Sequence, residues 1–281
     1  MKAAMQDNNA LYILQGSAKT FEVHNAETSQ KNDQEDDTQL WHSRLGHVGQ
    51  KRLDVLVKKG CIDKGKVYEL KFCEDCVIGK THKASFGSAQ HATKEKLDYI
   101  HSNLKVWLYF LKTKDEAFDK FVEWKKMVEI QSERKVKKLR TDNGLKFCNI
   151  KFDQFCKSEG VVRHRTCTYT PQQNGVAERL NRTLMNRVRS MLSESGLEQK
   201  FWAEAASTTV YLTNRTPSSE IDFDIPEERW TSAVPSLEGL RRFGCVAYVH
   251  STDGKLNSRA KKDIFTGYPE GVKGFRVWLL E

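Results

Sequence analysis

Four side chains with soft donor atoms stand in two close pairs. His42 and His47 lie in Leu40-Trp-His-Ser-Arg-Leu-Gly-His47, and Cys73 and Cys76 form a C-x-x-C in Phe72-Cys-Glu-Asp-Cys-Val77. Zinc takes four nitrogen or sulfur ligands in a tetrahedron, and two pairs from two chain segments supply that set. The 25 residues between the pairs leave room for a helix-turn-helix excursion, with Leu53, Leu56 and Val57 as its buried face. Alone, a C-x-x-C is equally a redox pair, and two histidines are ordinary surface residues. Together they favour a structural zinc ion with a closed shell, whose role is folding.

A second candidate set is built from hard oxygen donors. Asp142 ends an expected strand in Leu139-Arg-Thr-Asp-Asn-Gly144, and Glu178 follows after 35 intervening residues, early in an expected helix. Phosphoryl transfer with two magnesium ions needs such carboxylates to converge on one point. Val176, Leu180, Leu184, Val188 and Leu192 recur every four residues and mark the buried stripe of that helix. Glu178 lies about 200° from Val176 at 100° per residue, with Arg182 and Arg189 on its face. A metal-holding acid beside phosphate-binding arginines has this pattern. So does a solvated i,i+4 Glu178–Arg182 pair, and on periodicity alone that plainer reading is the stronger one.

The elements that must position these groups follow from hydrophobic period. Leu97 to Leu104 and Val106 to Leu111 read as strands, and Asp115 to Gln131 as a helix. Lys135 to Asp142 reads as a strand, Phe152 to Cys156 as a short helix stopped by Gly160, and Val161 to Thr166 as another strand. Helical stretches follow near Val176 to Ser193 and Gly196 to Leu212. Pro217 to Pro235 reads as irregular, and from Phe243 the pattern turns to strands. This order predicts an α/β layer fold with modules of different character at its ends.

The 281 residues carry a formal net charge of +9, distributed unevenly. Residues 1–40 hold three lysines and seven acidic groups, a net of −4, so the rest carries +13. A basic body favours a polyanionic partner. No apolar run approaches the ~18 residues of a membrane span, and the polar start lacks the apolar stretch of a signal peptide, so no membrane partner and an intracellular setting are expected. Seven cysteines, an odd number, do not read as a disulfide framework.

Leu40 to His47, followed by Phe72-Cys-Glu-Asp-Cys-Val-Ile-Gly-Lys80, resembles the GAG-pre-integrase domain of copia-type LTR-retrotransposon Pol polyproteins, as does the lead-in Asn9-Ala-Leu-Tyr-Ile-Leu14. Thr170-Pro-Gln-Gln-Asn-Gly-Val-Ala-Glu-Arg179 resembles a signature of the integrases of those elements. The resemblance implies one zinc on His42, His47, Cys73 and Cys76. It also implies a ribonuclease-H-like integrase core, in which an Asp, Asp, Glu triad holds Mg2+ or Mn2+ and DNA ends are trimmed and joined to target DNA. Asp142 and Glu178 match two of the triad, and Gln172, Asn174, Arg179, Arg182 and Arg189 are the expected nucleic-acid contacts. The implied partners are element and target DNA and further copies of the chain, with no small-molecule substrate, in the nucleus or a cytoplasmic virus-like particle.

Phe243-Gly-Cys-Val-Ala-Tyr248 and Gly267 to Phe275 resemble the SH3-like region after copia integrase cores. The organisation expected is a lead-in and acidic linker over 1–39, a small helical zinc-binding module over 40–90, an internally deleted core over 95–213, and a truncated SH3-like β segment over 236–281. Departures from the family fall in the core. Asn103, after His101-Ser102, stands where the first catalytic Asp belongs; it brings one carbonyl oxygen and no charge. Asn103-Leu-Lys105 then runs almost directly into Val106, so the second strand and most of a hairpin are expected to be missing. Leu145 and Lys146 stand where Gly and Glu are usual. These changes predict impaired catalysis, with a non-catalytic, zinc-stabilised nucleic-acid-binding remnant as the alternative.

Overall fold

The computed structural model describes residues 18–21, 37–80, 105–113, 115–141, 150–165, 175–250 and 258–280. They form a mixed α/β chain of two compact units, one of residues 1–82 with 184–281 and one of residues 83–183.

The first unit contains α1 (Asp37–Arg44), α2 (Gln50–Lys58) and α3 (Glu74–Lys80). Leu53 and Leu56 of α2 are fully buried, as their three-residue spacing predicts. They join Leu45, Val48 and Ile62 in a core that also takes Val188, Met191, Phe201, Ala205, Leu212, Ile225, Leu240, Phe243 and Trp278. The helices around the histidines and cysteines therefore have no private core; they share one with residues more than a hundred positions later.

The later part of this unit is organised around α7 (Trp202–Asn214), a helix of small and β-branched residues with seven buried positions. The small side chains let it approach a sheet closely. Thr208 Oγ1 donates to Thr266 O at 2.9 Å, and a Cβ on Gly267, whose φ is +152°, would stand 2.5 Å from Thr208 Oγ1. Only glycine accepts both the conformation and the space. The sheet is antiparallel in the order β1 (Ala18–Phe21), β6 (Phe275–Trp278), β5 (Ala260–Gly267), β4 (Val246–His250). Ala18–Phe21, within the expected lead-in, thus pairs with Phe275–Trp278 near the other end of the chain. The stretch read as irregular contains α8 (Pro226–Thr231); Pro226 occupies the first turn, where its missing N–H costs nothing.

The second unit holds α4 (Glu116–Ser132), then β2 (Lys138–Thr141), α5 (Ile150–Ser158) and β3 (Val162–Arg165). The two strands are parallel neighbours joined through the helix, in register from Lys138 opposite Val162 to Thr141 opposite Arg165. Val136, Leu139, Phe152, Cys156 and Val161 form its core, with Phe118, Phe121 and Phe155 packed around it. Lys125 is buried and satisfied by Glu129 at 2.9 Å and Glu159 at 2.8 Å.

The segment 106–111, expected as a strand, is not one. The other expected strand, 97–104, lies outside the described residues. Leu108, Tyr109 and Phe110 are exposed, and Trp107 instead meets the Trp124 ring edge-on at 5.9 Å. The helix α6 (Gly175–Ser195) crosses the boundary between the units. Among the described residues, no helix is long and apolar enough to cross a membrane.

Candidate metal centre

His42 sits in the last turn of α1, where Gly46 and His47 both turn left-handed, at φ +69° and +59°. That reversal returns the chain so that His47 N donates to His42 O at 2.8 Å. A histidine at positive φ costs about 1–3 kcal/mol and needs surrounding structure to hold it. Here it swings the second imidazole onto the first; the rings meet edge to face with centroids 5.0 Å apart. Cys73 precedes α3 and Cys76 lies in its first turn, so both thiols face one way.

The four donor atoms lie within 4.8 Å of one another and could hold a metal ion. His42 Nε2 is 3.2 Å from His47 Nδ1 and 3.2 Å from Cys76 Sγ. His47 Nδ1 is 3.6 Å from each sulfur. A tetrahedral ion with N and S bonds of about 2.05 and 2.3 Å has edges of about 3.3 Å between nitrogens and about 3.6 Å between N and S. The four separations given lie within about 0.4 Å of those edges, and the widest of the set, up to 4.8 Å, closes by about 1 Å around such an ion.

Surrounding groups prepare the ligands. His42 Nδ1–H donates to Val48 O at 2.7 Å, which leaves the Nε2 lone pair facing the cluster. Burial, the largest influence, pulls the His42 pKa down to about 4, so the ring is neutral at pH 7 and able to ligate. Burial also pushes the Cys76 thiol upward, against Lys80, whose Nζ donates to Cys76 Sγ at 3.0 Å and to His47 O at 2.6 Å. The far nitrogen of His47, Nε2, is buried and lies 3.2 Å from Glu194 Oε2, off the line of a well-formed hydrogen bond. Glu194 carries no sequence signal, and Lys80 stands in the resembling motif without a role assigned there; the fold brings both to the cluster.

Of the oxygen-donor pair Asp142 and Glu178, only Glu178 lies among the described residues. Glu178 is exposed in the first turn of α6, and no ion pair joins it to Arg182 among the described residues. Arg179, Arg182 and Arg189 are also exposed on α6, with Arg189 donating to Asn186 at 3.0 Å. Asn103, Asp142, Gln172 and Asn174 lie outside the described residues. Of the stripe expected on this helix, Val188 is buried and Leu180, Leu184 and Leu192 are half-buried; Val176's side chain lies outside the described residues. Arg187, Ser190 and Met191 are buried beside Val188.

Comparison with known proteins covers most of the chain. Residues 10–81 match the GAG-pre-integrase domain family, and residues 245–281 match the retroviral polymerase SH3-like domain family. A retrovirus-related Pol polyprotein from transposon TNT 1-94 of Nicotiana tabacum is 38% identical over 266 residues, which cover 85% of this chain and 20% of that one. A Pol polyprotein from transposon RE2 of Arabidopsis thaliana is 28% identical across 81% of this chain and 17% of its own length. An uncharacterized mitochondrial protein of Arabidopsis thaliana is 53% identical over 83 residues, which cover 69% of that protein. The chain thus spans about a fifth of the transposon polyproteins it matches. Among solved structures, a simian T-cell lymphotropic virus intasome in complex with a PP2A regulatory subunit matches at 16% identity and TM-score 0.36, covering 60% of this chain and 64% of that one. The catalytic core domain of BIV integrase matches at 21% and 0.34, covering 47% and 80%. Both scores are low enough that the likeness carries no argument.

Proposed function

From the premise that this chain belongs to the copia-type retrotransposon Pol polyproteins and is an integrase-like fragment of one, we propose that it is of the DNA-integration class, with a structural zinc and impaired catalysis. One observation supports this above the rest: two imidazole nitrogens and two sulfurs gathered within 4.8 Å, close to tetrahedral spacing. The ion is zinc because two thiolates with two neutral imidazoles balance its charge and match its softness. All four positions are taken by side chains, so the ion stabilises the fold and opens no position to a substrate.

The catalytic side rests on Asp142 and Glu178, which would hold Mg2+ or Mn2+ in the second unit. The parallel β2–α5–β3 arrangement suits a remnant of a ribonuclease-H-like core, with Asp142 directly after β2 and Glu178 at the start of α6. A divalent ion held there would supply Lewis-acid stabilisation of a reacting phosphate. The chain's own contribution is anionic oxygen, and Asn103 removes one of the three expected carboxylates. DNA would be held by Arg179, Arg182 and Arg189, whose exposure on one helix also favours the second reading, a remnant that binds nucleic acid without chemistry.

The test pairs two measurements on the whole chain. Metal analysis should find one zinc per chain, and its absence would overturn the structural reading. Strand transfer with Mg2+ or Mn2+ should be undetectable in the unmodified chain, while DNA binding at 50 mM salt weakens steeply by 300 mM. Strand-transfer product that disappears in Glu178→Ala would overturn impaired catalysis. Binding that ignores salt would overturn the nucleic-acid reading.

A further inference from the structure

We propose that Glu194 is the positioning carboxylate of the metal centre, and that through it metal occupancy orders the C-terminal half of α6. The inference rests on the zinc reading above and adds a residue and a consequence that the ligand set does not contain.

The two ligand histidines are built alike. Each turns one nitrogen to the cluster and the other to an outer oxygen. For His42 that oxygen is the Val48 carbonyl, one residue past His47. For His47 it is Glu194 Oε2, 3.2 Å from Nε2 and 147 positions away in sequence. His47 is fully buried, and Nε2 has no hydrogen-bond partner of good geometry, so the carboxylate is the group within reach that can orient this ring. Glu194 is itself mostly buried, with its side chain 19% exposed. The Ser43 hydroxyl and Arg242 also face this carboxylate, and an imidazole polarised by a bound cation adds a stronger partner than a neutral ring. The outer charges also balance: Glu194 sits behind His47 as Lys80 sits on Cys76.

The cysteine arm reaches the same turns of α6. Ser193 donates to Asp75 Oδ1 at 2.6 Å. A Cβ on Gly79 would stand 2.7 Å from Ser190 N and 2.9 Å from Asn186 O, so α3 lies directly on the backbone of α6. Residues 186–194 therefore meet both the His47 arm and the α3 arm. Removing the ion frees both arms from each other, and that stretch of α6 loses what they jointly hold.

Zinc affinity is measured on the full chain by competition with a chromophoric chelator, alongside the absorption spectrum of the cobalt-substituted protein. Glu194→Ala should weaken zinc binding by about 10–100-fold and shift the cobalt d–d bands while the thiolate charge-transfer bands persist. Glu194→Gln, which keeps an acceptor oxygen, should recover most of the affinity. Hydrogen exchange of the unmodified chain, with and without chelator, should show protection lost at residues 186–194. It keeps the test decisive if Glu194→Ala fails to fold. Unchanged affinity and cobalt spectrum in Glu194→Ala, or unchanged protection at 186–194, overturns Glu194's role while leaving zinc in place. No zinc in the unmodified chain overturns both.

Discussion

The soft-ligand cluster and Glu178 differ in how their side chains are supported. His42 and His47 are buried, each ring has an outer oxygen, and the elements carrying them share a core of sixteen buried residues. Glu178 stands exposed on a first helical turn with no ion pair to Arg182. The first site is held in place by the packing that makes the fold. A site whose ligands are part of the core resists drift, because losing a ligand unfolds something. An exposed residue such as Glu178 can change with little effect on stability.

The largest expected effect falls on the supported site. Cys76→Ser should abolish stoichiometric zinc, and because structural zinc binding is worth on the order of 10 kcal/mol, α1 to α3 and the core they share should lose cooperative melting. Zinc retained at one per chain would show that three ligands suffice. Phe152→Ala, in the centre of the second unit's core, should cost about 3–5 kcal/mol there while leaving zinc stoichiometry intact. Zinc lost in that variant would break the contrast between the regions.

Acid gives an effect of similar size in the metal-free chain. The folded-state pKa of His42 is depressed to about 4 against an ordinary 6.5, so the unfolded chain binds more protons between those values. Stability is therefore complete above pH 6.5 and falls by about 3 kcal/mol as pH drops through 4, measurable as a fall in Tm. A Tm flat over that window would place His42 outside the core.

Arg187 sharpens the comparison from the opposite direction. It is buried in α6, its pKa is drawn down to about 9 by burial and then by Arg52, and its side chain donates only to Thr213 among the described residues, with Nη2 unpaired. An unpaired buried cation destabilises, so Arg187→Met should raise stability by about 1–3 kcal/mol in denaturant melts. A loss of stability would reveal a counter-charge. Smallest of all, Glu178→Ala should change stability by less than about 0.5 kcal/mol, as exposed residues do; a larger loss would mean that Glu178 is part of the packing.

Much of this was legible from residues alone. The ligand quartet follows from donor chemistry and spacing, and α4, α5, α6, β2 and β3 follow from periodicity, because both signals are local. The strand at 106–111 was misread for the same reason. Its apolar run has strand composition, but a ladder is set by pairing across the chain, which a local run does not specify. α8 was missed although Pro226 followed by two glutamates is a helix start; the surrounding prolines masked it.

Residue types and their spacing alone determined which four atoms can bind a soft cation and which helices exist. Tertiary structure decided that Ala18–Phe21 closes a sheet with Phe275–Trp278, that the metal-ligand helices share their core with α6 and α7, and that Glu194 stands behind His47. Those pairings join residues separated by more than a hundred positions. No local period encodes them, because they arise from burying several apolar faces at once, and a partner for a buried polar group is chosen only after the faces have met.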